Sequence, residues 1–125
     1  MTTKQVNNRE IQLPPIVEEY YEFCVWLLPK VSKFQKDQKY ILGVRMQNNA
    51  LSALEHILDA ALSEKSKKEP YLSAAILKLE HVRYNLRLSV QIKMVNTKSY
   101  AYGSKKILEV SQKLYCERDK IVQYE

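Results

Sequence analysis

The sequence contains few of the residues that interrupt regular structure: two glycines and four prolines among 125 residues. A β-rich domain of this length needs many tight turns, in which glycine and proline are the usual residues, so their scarcity favours long helices. Leucine, lysine, glutamate and alanine, all good helix formers, are abundant. We therefore expect an all-α protein, and the length is that of one domain.

Cysteine and histidine are also scarce, with two of each. Cys24 and Cys116 form no Cys-x-x-Cys pair and no Cys/His cluster, so there is no zinc motif. Both lie on predicted apolar helix faces, and we expect buried free thiols. His56 and His81 lack the Glu-x-x-His arrangement of a di-iron bundle. We expect no metal site and no cofactor, and interpret His56 as a rim residue or a hydrogen-bonded core residue.

Catalytic motifs and long apolar runs are missing as well. There is no glycine-rich phosphate loop and no nucleophile elbow, so we expect a protein that is not an enzyme, with no catalytic residues. No apolar run reaches the roughly 18 residues of a membrane span, and the first residues show no signal-peptide pattern. These features predict a cytoplasmic protein with no membrane partner.

Helical periodicity divides the chain into an arm and four helices. Residues 1–13 are polar without a sustained period and are expected to form a flexible N-terminal arm. Apolar residues at three- and four-residue spacing predict helices over about 14–31, 38–63, 71–95 and 99–122. The three connections are short and polar, which favours antiparallel neighbours. Residues 14–125 are therefore predicted to form a single domain, an up-down-up-down antiparallel four-helix bundle.

Individual residues suggest where these helices begin and end. Pro29 is expected to kink or stop the first helix near Leu28. Asp37 is a plausible N-cap for the second helix, and Pro70 marks a boundary before the third. Trp26 is amphipathic and is expected to be partly buried. The candidate N-caps of the fourth helix are Asn96, Thr97 and Ser99.

The stretch 40–62 is unusually free of charge for its length and carries two apolar rows. One row contains Leu42, Met46, Asn49, Ala53, Ile57 and Ala60. The other contains Leu51, Leu54, Leu58 and Ala61. A face this wide exceeds what one neighbouring helix covers, which predicts a central helix or one that also packs against another subunit. Gly43 and Arg45 interrupt its first turns, and the glycine would permit close approach of another backbone.

Positive charge is concentrated towards the third helix. The net charge is +6, and residues 71–97 carry four bases and one acid. Arg83 and Arg87 are about 6 Å apart along the helix axis, a spacing that can follow successive phosphates. Glu80 offers Arg83 an ion pair within the helix, whereas Arg87 has no acid three or four residues before it. Further bases extend the charge, among them Lys93, Lys98, Lys105 and Lys106.

Two interpretations of this basic surface stay open: an ordinary solvated face, or a face that binds a polyanion. The nine tyrosines leave a similar choice. They can pack inside the bundle, stack on nucleobases or contribute to a protein interface.

Several short motifs recur in a familiar order over roughly residues 20–115: Tyr21–Trp26 with Pro29, Lys33–Phe34, Tyr40–Met46, Ala60–Ala61, Leu79–Arg83, Leu86–Leu88, Tyr100 and Leu108–Val110. In these motifs the chain resembles the four-helix-bundle family that contains the accessory variability proteins of diversity-generating retroelements. A related branch is encoded by intervening sequences in bacterial 23S ribosomal RNA. Lys113–Glu117 departs from the family pattern, which often has a glycine-rich segment with a tryptophan there.

The resemblance implies a function. Accessory proteins of this family assemble as pentameric barrels with a positively charged surface. They bind nucleic acid and the element's reverse transcriptase, and they support the copying of a template RNA into cDNA. By motif match, Arg45, Arg83 and Arg87 are the positions to which a basic binding role would carry over.

Three functions are therefore compatible with the sequence. The first is a non-catalytic accessory protein that binds RNA or DNA and a reverse transcriptase as a homo-oligomer. The second is a structural or protein-interaction bundle of the ribosomal intervening-sequence type, with no retroelement role. The third is a bundle that holds a small ligand or metal. An ion pair between Arg45 and an acid of its own bundle, such as Glu80 or Glu109, would make that arginine structural.

Overall fold

A computed structural model describes the backbone of residues 12–123 and the side chains of residues 12–122. Four long helices dominate it: α1 (Pro15–Ser32), α2 (Val44–Leu62), α3 (Lys68–Gln91) and α4 (Thr97–Gln123). No strand occurs in this part of the chain, so the all-α prediction is confirmed. The predicted arm falls mostly on residues 1–11, which lie outside the described residues.

The core lies where the apolar stripes of the four helices meet. α2 packs against α1 and α3, and α4 packs against α3 and α1, which is compatible with an up-down bundle. The Tyr20 hydroxyl of α1 donates a 2.8 Å hydrogen bond to the Ala50 carbonyl oxygen of α2. Each helix contributes a large, fully buried side chain, for example Leu27, Met46, Leu79 and Ile107.

Pro29 does not stop the first helix, so the stop, which is one of the two predicted outcomes, is wrong. α1 continues past it to Ser32, whose hydroxyl donates a 2.7 Å hydrogen bond to the Pro29 carbonyl oxygen. Proline has no N–H to donate to the carbonyl oxygen four residues earlier. The carbonyl that loses this partner belongs to Val25, an exposed residue, where water can replace the missing donor.

The second helix begins in steps rather than at a cap. A single helical turn, Lys36–Gln38, runs into a π-helical turn, Lys39–Gly43, and then into α2. Asp37 lies inside the first turn and makes no capping hydrogen bond, so the predicted N-cap is wrong. Gly43 does permit a close approach, by a side chain rather than a backbone: a Cβ there would lie 3.0 Å from Val31 Cγ1 of α1.

The third helix begins at Lys68 rather than near 71 and ends at Gln91 rather than near 95. Pro70 is part of its first turn, where the missing N–H has no helical partner to lose. Lys93 ends the helix because it adopts a left-handed conformation with φ of 65°. The Met94 amide then donates a 2.8 Å hydrogen bond back to the Ser89 carbonyl oxygen.

The fourth helix has a side-chain cap. Asn96 Oδ1 accepts a 2.8 Å hydrogen bond from the Ser99 amide, which selects Asn96 among the three candidates. Further along α4, Gly103 lies against α1 and α3. A Cβ there would lie 2.7 Å from Leu86 Cδ2 and 2.9 Å from Trp26 Cζ3. Trp26 is partly buried, as predicted.

The two cysteines have different environments. Cys24 is buried as predicted, but Cys116 is exposed, so that part of the prediction is wrong. Cys116 follows the buried Leu114 by two residues, which places it about 200° around the helix from the core stripe. Burial raises the pKa of the Cys24 thiol to about 11.

The second apolar row of α2 is only partly covered. Leu51 is 40% exposed, while Leu54 and Leu58 are partly buried against the core. α1 packs beside this side of α2 and exposes Tyr21 and Val25, at 50% and 54%. We call these five residues the apolar face.

Candidate nucleic-acid interface

The start of α2 and the end of α3 lie side by side. The Ser89 hydroxyl of α3 is 3.2 Å from Met46 Sδ of α2. α4 begins just after the turn that follows α3. Six of the seven predicted basic residues belong to these adjoining segments. We call these six residues and Tyr84 the basic end. The six are Arg45, Arg83, Arg87, Lys93, Lys98 and Lys105.

Tyr84 connects the two arginines of α3. The guanidinium carbons of Arg83 and Arg87 lie 5.0 Å and 5.6 Å from the centroid of its ring, within the distance of a cation–π interaction. The predicted ion pair between Arg83 and Glu80 is present. Hydrogen bonding to Arg83 holds the pKa of the Glu80 carboxyl below its usual value. No acid of the described residues pairs with Arg87, which is exposed.

Arg45 forms no ion pair with any described side chain. The two acids considered for it are engaged elsewhere: Glu80 with Arg83 and Glu109 with Lys106, the latter at 3.7 Å. Arg45 instead lines a cavity of about 460 Å³ between α2 and α3. We call this cavity the amide groove, and its lining consists of Arg45, Asn48, Asn49, His81, Tyr84 and Asn85.

Two asparagines join the walls of the amide groove. Asn49 Nδ2 of α2 donates a 2.8 Å hydrogen bond to Asn85 Oδ1 of α3, and both residues are half-buried. Within the described side chains, Asn49 Oδ1 and the Asn85 Nδ2 hydrogens make no further hydrogen bond. No carboxylate lines the groove, so its polar groups are amides, a phenol, an imidazole and a guanidinium.

The lysines of the basic end are exposed and have no ion pair among the described residues: Lys93, Lys98 and Lys105. Lys98 and Lys105 are seven residues apart, which places them on the same side of α4 about 10 Å apart. Lys106 is different. It pairs with Glu109, and its ammonium lies 5.9 Å from the Tyr102 ring. Tyr102 packs on Trp26 of α1, so Lys106 faces α1 and does not join the other six.

Sequence reasoning missed the neutral residues of this region. The sequence pattern puts Asn49 in an apolar row and does not predict that it lies beside His81, Tyr84 and Asn85 of α3. The only signal was the pair Asn48–Asn49 inside an otherwise apolar stretch. His56 also departs from expectation, because its Nδ1 is buried and has no hydrogen-bond partner in the described structure.

The opposite end of the bundle also carries basic residues, around a cavity of about 920 Å³. Lys113 Nζ lies 2.5 Å from Glu19 Oε2, and Lys120 Nζ lies 3.4 Å from Glu117 Oε1. Lys68 Nζ donates a 2.5 Å hydrogen bond to the Ala60 carbonyl oxygen. Lys67 and Glu64 are 4.0 Å apart. Arg118 in the same region has no carboxylate partner among the described side chains; its Nη1 lies 3.3 Å from Ser73 Oγ and its guanidinium carbon 4.9 Å from the centroid of the Tyr115 ring. We therefore restrict the name paired end to the four lysines Lys67, Lys68, Lys113 and Lys120.

Comparison of the chain with family models, with curated proteins and with solved structures finds no match. Among the described residues, no group of three or more His, Cys, Asp or Glu side chains could hold a metal ion. In the same part of the chain, no helix is long and apolar enough to cross a bilayer.

Proposed function

We propose that this protein is a non-catalytic, cytoplasmic accessory protein of a diversity-generating retroelement. It binds nucleic acid, either the template RNA or its cDNA, and the reverse transcriptase through its basic helix faces, and it acts as a homo-oligomer. The observation that supports nucleic-acid binding is the basic end, where Arg45 and Arg87 lie beside Tyr84 without a carboxylate partner among the described side chains. The assignment to a retroelement comes from the motif resemblance.

Basic side chains without an acidic partner are suited to phosphate binding, because their charge is free to neutralise a phosphate. Each such contact releases counterions from the nucleic acid. Arg45 and Arg87 have no carboxylate partner among the described side chains, and each planar guanidinium group can donate two parallel hydrogen bonds to the oxygens of one phosphate. Contacts of this kind position a strand without reading its sequence. The proposed binding is therefore strong at low salt and weakens as salt rises.

The oligomer is supported by the apolar face of α1 and α2. Monomeric proteins rarely expose contiguous apolar surface without a use for it, and Tyr21, Val25 and Leu51 are each at least 40% exposed. We propose that a second copy of the chain covers this face and that successive copies form a closed ring. Each copy in the ring is an up-down bundle with antiparallel helices. The pentameric state and the reverse transcriptase partner come from the motif resemblance.

Charge reversal tests the nucleic-acid role. Arg83→Glu/Arg87→Glu is expected to weaken binding to a labelled single-stranded RNA by at least about a hundredfold, because it replaces the unpaired Arg87 and the Glu80-paired Arg83 by two carboxylates that repel phosphates. The matched control is Lys113→Glu/Lys120→Glu at the paired end, which makes the same change in net charge. A folded Arg83→Glu/Arg87→Glu protein that binds like the wild type would refute the proposal.

A structural or protein-interaction bundle of the ribosomal intervening-sequence type is the second candidate. The apolar face favours it, since that surface needs no nucleic acid to be useful. This candidate predicts an oligomer that ignores RNA and DNA at physiological salt. Multi-angle light scattering measures the subunit count, and a stable monomer would remove the oligomer from both proposals.

A further inference from the structure

We propose that the amide groove binds an unpaired nucleobase, with Arg45 and Arg87 holding phosphates of the same strand. The inference rests on the proposed nucleic-acid function and deepens it. It assigns base contacts to α2 and α3 and predicts that the protein prefers single strands to duplexes. Phosphate binding alone would not produce either property.

The hydrogen-bonding groups of the groove match those of a base edge. Since Asn49 Nδ2 already donates to Asn85 Oδ1, the joined amides still offer an acceptor on Asn49 and a donor on Asn85. Each nucleobase carries donors and acceptors on its edges, and asparagine is a common partner for them. Half-burial strengthens such bonds, because the amides have less water to compete for them.

The charge and shape of the groove point to the same ligand. Arg45 and His81 line it together with three asparagines, and no carboxylate is present to repel a phosphodiester. Its volume of about 460 Å³ lies within the usual range for small-ligand sites. Arg83 and Arg87 lie over the ring of Tyr84, which itself lines the groove. A base in the groove therefore places its backbone next to guanidinium groups.

Base pairing would compete with binding to the groove. The amides lie between two packed helices, whose axes in such packing are about 8–10 Å apart. In a duplex the Watson–Crick edges are occupied by the complementary strand. A base turned out of its stack, as in a single strand or loop, can place its Watson–Crick edge on Asn49 and Asn85, so we expect tighter binding of single strands than of a duplex.

The test compares labelled oligonucleotides of equal length and equal phosphate number: four homopolymers, an abasic strand and a duplex. The wild type is expected to bind its preferred homopolymer about tenfold more tightly than the abasic strand, as for one good base contact. Asn49→Leu/Asn85→Leu is expected to reduce that ratio to about twofold or less while keeping the salt-sensitive binding of the abasic strand. Removing both partners of a hydrogen bond together limits the effect on folding.

Gln112→Leu is the matched control, because it removes an exposed amide from α4 near the paired end. Equal affinity of the wild type for homopolymers and the abasic strand would overturn the groove inference and leave the proposed function standing. Retention of the base preference in Asn49→Leu/Asn85→Leu would also overturn the groove inference and leave the proposed function standing. Absence of binding to every strand would overturn both.

A crosslinking measurement covers the case in which the double variant fails to fold. The wild-type protein is irradiated with a single strand that contains 4-thiouridine, and the modified peptides are identified by mass spectrometry. Crosslinks are expected on residues 45–49 of α2 or 81–85 of α3. Crosslinks confined to the paired end would contradict the inference.

Discussion

The two ends of the bundle carry the same kind of charge in different surroundings. At the paired end, Lys113 and Lys120 each lie within 3.4 Å of a glutamate oxygen. At the basic end, Arg45 and Arg87 have no acidic partner among the described side chains, and Arg87 lies over the ring of Tyr84. A count of basic residues does not distinguish these two regions.

The difference is in the electrostatic potential that each end presents. An exposed ion pair contributes only about 0–1 kcal/mol to stability, but it cancels most of the field of its lysine. An unpaired guanidinium keeps its field, which extends over a Debye length of about 8 Å at physiological salt. The partner of each base, rather than its position in a charged segment, decides whether it can attract a polyanion.

The largest expected effect is the difference in alkylation rate between the exposed thiol of Cys116 and the buried thiol of Cys24. Cys116 lines the cavity of the paired end, whereas Cys24 is buried with its pKa raised by that burial to about 11. Because the thiolate is the reactive form, iodoacetamide at neutral pH is expected to modify Cys116 at least about a hundredfold faster than Cys24. Mass spectrometry of timed samples measures both rates.

A bulky maleimide on Cys116 then probes the comparison directly. RNA binding is expected to stay unchanged, because the label covers the paired end and leaves the basic end free. Cys116→Ser serves as the unlabelled control. A labelled protein that no longer binds RNA would mean that the functional assignment of the two ends is wrong.

The next effect concerns the packing beneath the basic end. Gly103→Val is expected to lower the free energy of unfolding by about 2 kcal/mol, because its Cβ would lie 2.7 Å from Leu86 Cδ2 and 2.9 Å from Trp26. Gly43→Ala is the control: its Cβ would have one tight contact, Val31 Cγ1 at 3.0 Å, with its next neighbours at 3.7 Å, and the gain in helix propensity of about 1 kcal/mol offsets the tight contact. Urea unfolding measures both, and equal stability of the two variants would contradict the packing argument.

A smaller change in single-strand affinity is expected when three positive charges are neutralised at one end of the bundle. Arg87→Gln/Lys98→Gln/Lys105→Gln is expected to weaken single-strand binding about tenfold and to reduce the slope of log affinity against log salt by about 2. Lys67→Gln/Lys113→Gln/Lys120→Gln makes the same change in net charge and is expected to alter affinity less than about twofold, because those lysines are already paired. Equal losses in the two variants would show that net charge alone governs binding.

The smallest effect concerns the one arginine of the basic end that has an ion pair. Glu80→Gln releases Arg83 and is expected to increase RNA affinity about twofold, since an exposed ion pair is weak. A decrease in affinity would indicate that Glu80 positions Arg83 for binding.

The same variant has a pH signature. The pKa of Glu80 is lowered in the folded protein, so its contribution to stability is present above the unfolded value of about 4.3 and is lost as pH falls through the lower folded value. The wild type is therefore expected to be slightly more stable than Glu80→Gln near neutral pH and equal to it in strong acid. Thermal unfolding at several pH values tests this sign.

The helices could be predicted because each has a long apolar stripe with helical spacing. Their details depend on local geometry that spacing does not encode. Pro29 is tolerated because the carbonyl it leaves without a donor belongs to exposed Val25. The π-turn Lys39–Gly43 replaces the expected cap at Asp37. A helical pattern cannot distinguish such a turn from the α-helix that follows.

Within the candidate site, the sequence could predict only those contacts that join neighbours on the same helix. The ion pair of Arg83 with Glu80, three residues apart, follows from helix geometry. The partner of Lys113 is Glu19, 94 residues away, and the partner of Asn49 is Asn85, 36 residues away. These distant contacts separate the paired end from the basic end and create the amide groove, and only the packing of the helices reveals them.

The turn after α3 imposes a trade-off between conformational energy and charge. Lys93 adopts a left-handed backbone conformation, which costs a non-glycine residue about 1 kcal/mol and which glycine would adopt freely. A change to glycine would therefore stabilise the turn but remove a positive charge from the basic end. An optimisation guided by stability alone would favour that change and weaken the surface that the proposed function requires.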